Sequence, residues 1–138
     1  MKKILLALTV VACVVPVFAF AADPAPRSSF QYCENKNRCP LGFKTNKSGT
    51  KIKKLSMYNR CSQVPVEGGY PKIRVNDEGK FSKSGTVTDV IGQELTYTIK
   101  GKFRKPGKAV GTYEIDSRKG AKRCDSDPEE FVAKRVEQ

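Results

Sequence analysis

Residues 94–104 alternate strictly between inward apolar and outward polar positions, and this pattern constrains the fold more than any other feature of the chain. Successive side chains of a β-strand point to opposite faces, so a period of two buries one face and exposes the other. Pro106-Gly107 supplies a turn, and the run from Val110 to Ile115 returns as the partner strand. The sequence therefore predicts a β-hairpin. Its inward positions are Leu95, Tyr97, Ile99, Phe103 and Gly101, the last marking a bulge or a bend.

Shorter runs of aromatic and β-branched residues recur elsewhere, separated by turn-forming residues about every ten positions. Asn-, Ser- and Gly-containing turns are expected at 46–49 and 76–79. Only the second strand of the first hairpin is irregular, because Lys53-Lys54 interrupts its alternation. The further strands are predicted at 29–34, 39–45, 51–60, 71–76, 79–89 and 131–136.

The C-terminal segment carries two competing signals. Asp127-Pro128-Glu129-Glu130 is a good helix opening, with a capping Asp, Pro at the first helical position and acids in the first turn. Residues 131–136 suit a strand equally well. We expect a helical turn followed by a final strand.

The N-terminal segment has the features of a targeting signal. Lys2 and Lys3 precede an uncharged run that ends in Ala19-Phe20-Ala21, the pattern of a cleavable secretory signal. The predicted organisation is a signal peptide at 1–21, a flexible leader at 22–27 and one domain at 28–138. Two alternatives stay open. The run is long enough for an uncleaved anchor, and the residues before Cys13 resemble a lipidation motif.

Removal of the signal leaves Cys33, Cys39, Cys61 and Cys124. An even cysteine count in an exported domain indicates two disulfides, for which three connectivities are possible. We favour Cys33–Cys39 with Cys61–Cys124. Zinc is the competing interpretation, but the chain has no C-x-x-C pair. No cofactor is predicted.

Part of the chain resembles a group of exported bacterial β-sandwich domains. The residues concerned are Cys61, Ile73-Arg-Val-Asn-Asp-Glu-Gly-Lys-Phe81, Ile99-Lys-Gly-Lys-Phe103, Gly107-Lys-Ala-Val-Gly-Thr-Tyr113, Cys124-Asp125 and Ala133-Lys-Arg135, in that order. The resemblance covers about residues 50–136 and implies a disulfide-pinned sandwich without catalytic residues. With the strand pattern, it leads us to expect an all-β fold: an antiparallel two-sheet sandwich of about seven or eight strands.

The composition excludes several enzyme classes. The chain has no histidine, so histidine-based triads, imidazole bases and histidine metal ligands are absent. The alternative to a binding protein is a small secreted enzyme or enzyme inhibitor that acts through carboxylates. Asp89 and Glu94, which flank one connection, are the pair we would nominate for general acid–base chemistry. Four acids near the C-terminus could hold calcium, but we interpret them as residues that cap a helical turn. They are Asp125, Asp127, Glu129 and Glu130.

Positive charge is the remaining signal. The formal net charge is +12, from 26 Lys and Arg against 14 Asp and Glu. Clustered on outward strand positions, such charge attracts polyanions, although it also keeps a β-rich surface soluble and blocks edge pairing. We predict a non-enzymatic exported module that contacts an anionic cell-wall or surface polymer, with nucleic acid less favoured and no membrane span after cleavage. The candidate residues are Lys100, Lys102, Arg104, Lys105, Lys108, Lys72 and Arg74, with a third cluster at Lys51, Lys53 and Lys54.

Overall fold

The protein is an antiparallel β-barrel, seen in a computed structural model that describes residues 28–62, 66–67, 70–89, 92–105, 107–117 and 124–136. Every named strand pair in the described chain is antiparallel. The strands are β1 (Ser29–Tyr32), β2 (Leu41–Thr45), β3 (Lys51–Met57), β4 (Val66–Glu67), β5 (Ile73–Arg74), β6 (Lys80–Thr88), β7 (Glu94–Lys105), β8 (Lys108–Ser117) and β9 (Glu129–Val136).

The strands follow one another around the barrel. The hydrogen-bonded order is β4-β3-β2-β1-β9-β8-β7-β6, and β5 pairs with β3 off this path. Strand β9 closes one side by pairing with β1, as in Phe30 opposite Arg135. The other side is closed more sparingly: β5 pairs with β3 at Ile52–Ile73, and an isolated bridge joins Val75 to Phe81 of β6. The result is a nearly closed barrel.

The expected all-β fold is confirmed, but the two-sheet sandwich is wrong. Alternation of apolar and polar residues reports only that one face of each strand is buried, and this holds for sandwiches and barrels alike. A barrel is distinguished from a sandwich here by the pairing of β9 with β1 and by the links that β5 makes between β3 and β6. Those pairs join residues far apart in sequence, such as Ser29 with Val136.

The barrel interior is filled by aromatic rings. Phe30 stacks on Phe43 with ring centroids 5.1 Å apart, and Phe103 meets Phe30 edge-on at 5.2 Å. Phe81 completes this group at 5.5 Å from Phe103. All four rings are buried, as are Leu95, Tyr97 and Ile99 of the predicted hairpin. The inward positions read from the 94–104 alternation are therefore confirmed.

Two glycines let β6, β7 and β8 pack closely. Gly101 lies opposite Gly111, and a Cβ at position 101 would meet the ring of Phe81. A Cβ at position 111 would meet the carbonyl oxygen of Lys100. Gly101 thus makes room for a core ring. The irregularity in β7 lies between Phe103 and Lys105, at the turn, and not at Gly101.

The interrupted alternation in β3 has a local explanation. The register between β2 and β3 shifts after the Lys44–Lys54 pair, so that Thr45 lies opposite Ile52. Lys53 is the extra residue of a β-bulge. Ile52 and Leu55 both remain buried, whereas Lys53 and Lys54 are both exposed.

The predicted helical turn at the C-terminus is wrong. Residues 125–128 are irregular, and β9 begins at Glu129. Glu129 faces the interior side and accepts a hydrogen bond from the hydroxyl of Tyr113 at 2.8 Å, which holds the first residue of β9 against β8. Pairing with β8, from Tyr113–Glu129 onward, outweighs the local helix-start signal. The final strand itself is confirmed.

A buried polar network covers the end of the barrel beyond Met57. The side-chain amide of Asn59 donates to the carbonyl oxygen of Ile115 and to the hydroxyl of Ser126, each at 3.0 Å. Since β3 and β8 lie four strands apart in the barrel order, the segment after β3 crosses this end. The Cys61–Cys124 disulfide pins the same crossing.

Both predicted disulfides are present. Cys33–Cys39 closes the loop between β1 and β2, and Cys61–Cys124 spans 63 residues of chain. Two disulfides are typical of proteins that mature in an oxidising compartment. The predicted signal peptide at 1–21 and leader at 22–27 lie outside the described residues. Within the described chain, no helix is long and apolar enough to cross a membrane.

Candidate polyanion-binding face

Strand β7 presents three of the predicted basic residues on the outside of the barrel. Lys100 and Arg104 are exposed and Lys102 is half-buried, while Ile99 and Phe103 on the same strand point into the core. The side chains lie two residues apart along the strand, which separates successive positions by about 6.8 Å. The pleat of β7 thus puts Lys100 and Lys102 on one surface, and exposed Arg104 follows in the irregularity between Phe103 and Lys105.

A shallow groove joins Lys100 to a predicted residue from a distant part of the sequence. The groove has a volume of about 320 Å³, and Arg74 of β5 and Lys80 of β6 line it with Lys100. Its other lining residues include Asn76, Ser82 and Gly101. The groove forms where the barrel closes, because the bridge from Val75 to Phe81 brings β5 beside β6.

Lys80 and Lys102 are direct cross-strand neighbours. Like charges in this arrangement repel, so an external anion would stabilise the pair. Glu78 partly fulfils this role by forming an ion pair with Lys80. The hydrogen bond and charge of Lys80 lower the pKa of Glu78, and the charge of Lys102 lowers it further. The lowered pKa of Glu78 therefore comes mainly from its contact with Lys80, with a smaller contribution from Lys102.

The β7–β8 turn extends the basic surface. Lys105 and Lys108, both exposed, pair across the turn, and Lys108 lies directly opposite Lys134 of β9. The backbone N–H of Arg135 donates to the carbonyl oxygen of Gly107 at 2.8 Å, so β9 reaches the turn itself. Around the described barrel, ion pairs are formed by Arg38 with Glu34 and by Lys80 with Glu78, and by none of the predicted basic residues.

Charge on this outer face changes sign along the strands. At the turn end, Lys102 lies between Lys80 and Val110. The middle positions are hydroxyls, including Thr98 beside Ser84. From these middle positions onward β8 contributes acidic side chains, with Glu114 opposite Thr98 and Asp116 opposite Thr96. Partial burial, and then the negative charges of Asp116 and Asp127, raise the pKa of Glu114. The basic surface therefore consists of the turn end of β6–β9 together with Arg74 and Lys100. We call this whole surface the basic rim.

Lys72 and the third lysine cluster lie outside this arrangement for the most part. Lys72 is exposed ahead of β5 and does not line the groove. Lys51 lies opposite Arg74 and so approaches the rim, whereas Lys54 lies opposite Lys44 on another part of the barrel. Sequence reasoning missed Lys80, Lys134 and Arg135. The alternation of β6 would have found Lys80, since it follows the predicted turn at 76–79 and precedes the inward Phe81.

The nominated carboxylates have structural surroundings. Asp89 is 6% exposed, and its Oδ1 accepts the backbone N–H of Gln93 at 2.8 Å, which closes the turn between β6 and β7. Glu94 is exposed at the start of β7. Of the acids near the C-terminus, Glu129 is bonded to Tyr113 and Glu130 points outward. No group of three or more His, Cys, Asp or Glu side chains that could hold a metal ion occurs in the described residues.

Comparison with known proteins adds no relative: no family model, no curated protein and no solved structure matches the chain.

Proposed function

We propose that this protein is an exported, non-enzymatic binding module whose basic rim contacts an anionic polymer or surface. The observation that carries the proposal is the convergence of Arg74, Lys80 and Lys100 from three strands on one groove. Lys102 borders this convergence as the cross-strand neighbour of Lys80. Signal cleavage after Ala21 would place this surface outside the cytoplasm.

The charge gradient suggests how a polymer would lie. A chain running along β7 would meet the acidic positions around Glu114 and Asp116, which repel it. A chain running across the strands at the basic rim would instead meet Lys80, Lys102, Lys108 and Lys134 on successive strands. Lys80 lies directly opposite Lys102, and Lys108 directly opposite Lys134. Neighbouring strands are about 4.8 Å apart, so the path offers two pairs of closely spaced ammonium groups.

The chemistry favours a non-nucleic polyanion. Proteins that hold single-stranded nucleic acid stack bases on exposed aromatic rings. Here Tyr97 and Phe103, the aromatics of β7, are 3% and 1% exposed and point into the core, and Phe81 beside the groove is 3% exposed. Acidic polysaccharides, cell-wall phosphate polymers and anionic head groups need only the charge.

Salt-dependent retention on immobilised heparin tests the proposal. The variant Lys100→Ser/Lys102→Ser/Arg104→Ser should elute at clearly lower salt, because long-range attraction between exposed charges is screened by salt. The matched control is Lys36→Ser/Lys53→Ser/Lys83→Ser, which removes the same charge from exposed positions outside the basic rim. Equal loss in both variants would mean that net charge alone is responsible. No retention of the native protein at low salt would refute the proposal outright.

A further inference from the structure

Strand β2 carries a glycine that the fold does not require. Gly42 is in the middle of β2, between buried Leu41 and Phe43, and faces outward. A Cβ at this position would find its nearest neighbours at 3.8 and 3.9 Å, which is ordinary contact. Gly42 is also not among the glycines with positive φ. It differs in this from Gly101 and Gly111, whose missing side chains are needed for packing.

A glycine inside a strand weakens it, and such a position often marks the close approach of a ligand. The absence of a side chain at Gly42 leaves an open groove of about 400 Å³ on the outer face of β1–β3. Volumes of about 300–1,000 Å³ are typical of small-molecule sites. Gln31 and Ser56 are the cross-strand neighbours of Gly42 and border the groove on its two sides.

The residues that line the groove differ between its two ends along β2. Lys44 and Lys54, directly opposite each other and both exposed, provide two ammonium groups at one end. Half-buried Tyr58 and Cys39 border the other end. Within the described part of the chain, the side chains of Gln31, Lys44, Lys54 and Ser56 make no hydrogen bond or ion pair, so they are available to a ligand.

We propose that this groove binds one acidic sugar unit of a polysaccharide, with its carboxylate at Lys44 and Lys54 and its ring over Gly42. Gly42 and Lys44 are successive outward positions of β2 and are therefore about 6.8 Å apart. A ligand that contacts both must carry its anionic group next to an uncharged part, as a hexuronate does. Gln31 and Ser56 offer amide and hydroxyl partners for ring hydroxyls. An inorganic phosphate chain would use the lysines alone and leave the space over Gly42 unoccupied.

The groove lies away from Lys100, Lys102 and Arg104, because three strands (β1, β9 and β8) separate β2 from β7 in the barrel order. Gln31 at the border of the groove lies opposite Lys134, so the groove adjoins only the β9 end of the basic rim. It does not depend on the function proposed above. The variant Lys100→Ser/Lys102→Ser/Arg104→Ser should therefore retain its affinity for the sugar. Loss of heparin retention and loss of sugar binding are independent outcomes.

The test is a titration of the purified protein with tetragalacturonic acid, read by the amide resonance of Gly42 in ¹⁵N–¹H spectra. Native protein should show a saturable shift of this resonance. Gly42→Val fills the groove with a side chain suited to strands and should weaken binding at least tenfold, with an unchanged or higher melting temperature. Ser84→Val, which adds a similar side chain to the outward face of β6, should bind as the native protein does.

Two further arms separate the ligand chemistries. Lys44→Gln/Lys54→Gln should bind the acid at least tenfold more weakly, and the methyl ester of the same oligosaccharide should bind native protein comparably weakly. This double variant also tests the site if Gly42→Val fails to fold. Tripolyphosphate binding that equals tetragalacturonate binding and survives Gly42→Val would overturn the proposal. So would the absence of any shift of the Gly42 resonance at millimolar sugar.

Discussion

The two sides of this barrel are held together by different means. On one side, β6, β7, β8 and β9 form long continuous ladders, from Lys80–Lys102 to Thr88–Glu94 between β6 and β7 alone. We call this the ladder side. On the other side, within the described residues, β3 and β6 meet only through β5, a two-residue strand, and the bridge from Val75 to Phe81. We call this junction the seam.

Aromatic rings and a covalent bond take the place of pairing around the seam. Tyr70 packs edge-on against Tyr97 with centroids 4.8 Å apart, and its hydroxyl donates to the carbonyl oxygen of Met57 at 3.4 Å. Cys61 then ties the segment after β3 to Cys124, beside the end of β8. A barrel with a short closing strand therefore needs links that do not rely on backbone hydrogen bonds. The Arg74–Lys80–Lys100 groove lies at the point where the seam begins.

The largest effect expected is from removal of the Cys61–Cys124 disulfide. Cys61→Ala/Cys124→Ala should lower the free energy of unfolding by about 4 kcal/mol, because the bond restricts a long loop in the unfolded chain. Cys33→Ala/Cys39→Ala is the matched control and should cost about 2.4 kcal/mol, since its loop is short. Urea denaturation measures both. A greater loss from the short loop would show that the seam does not depend on this bond.

On the ladder side, Gly111→Val should be the most damaging single substitution. Its side chain would meet backbone atoms of Lys100 and Gly101, which cannot move aside without separating β7 from β8. Overpacking of this kind typically costs up to about 3 kcal/mol. Thr112→Val, at the neighbouring half-buried outward position, is the control and should be nearly neutral. Thermal denaturation of the two variants compares them, and similar melting temperatures would contradict the close-approach explanation.

The buried tyrosines of the two sides should respond differently to loss of their hydroxyl. On the ladder side the hydroxyl of Tyr113 donates to Glu129, so Tyr113→Phe should cost about 1.5 kcal/mol. Tyr97 of β7 packs against Tyr70 of the seam, and its hydroxyl is buried with no hydrogen-bond partner among the described residues. Tyr97→Phe should therefore be neutral or slightly stabilising. Chemical denaturation curves for both variants test the contrast, which fails if Tyr97→Phe is the more costly.

The smallest effect on stability comes from ionisation of the buried tyrosines, because it acts only in alkaline solution. Burial, and then the hydrogen bond and charge of Glu129, raise the pKa of Tyr113. Burial raises the pKa of Tyr70 as well. Below about pH 10 both rings are neutral in the folded and unfolded states. Above it the unfolded state loses protons first, so stability should fall as pH rises.

Denaturation midpoints between pH 9 and pH 11.5 measure this dependence. Tyr113→Phe should make the alkaline decline less steep, because one of the three tyrosines with a raised pKa is gone. An unchanged slope in that variant would mean that Tyr113 ionises equally readily in the folded and unfolded chain. Tyr97→Phe serves as a second comparison at the seam, since burial also raises the pKa of Tyr97.

Local pattern was a good guide wherever neighbours in sequence decide the structure. The hairpin of β7 and β8, the outward direction of Lys100 and Lys102, and the number of disulfides follow from alternation, turn residues and cysteine count. The cysteine pairing that we favoured is confirmed, but the count alone allowed three pairings. The helical turn at 127–130 was wrong because pairing of Glu129 with Tyr113 competes with a purely local signal. The short strand β4 was not predicted, and its two residues leave no alternation to detect.

The alternation of apolar and polar residues determines that this chain forms antiparallel strands with one buried face. The four cysteines that remain after signal removal indicate two disulfides. Whether those strands stack as two sheets or curl into a barrel was decided only in three dimensions, by β9 pairing with β1 and by the links at the seam. The same holds for the meeting of Arg74 with Lys100 and for the space above Gly42. A period of two specifies which way a side chain points, but it carries no information about which distant strand will lie beside it.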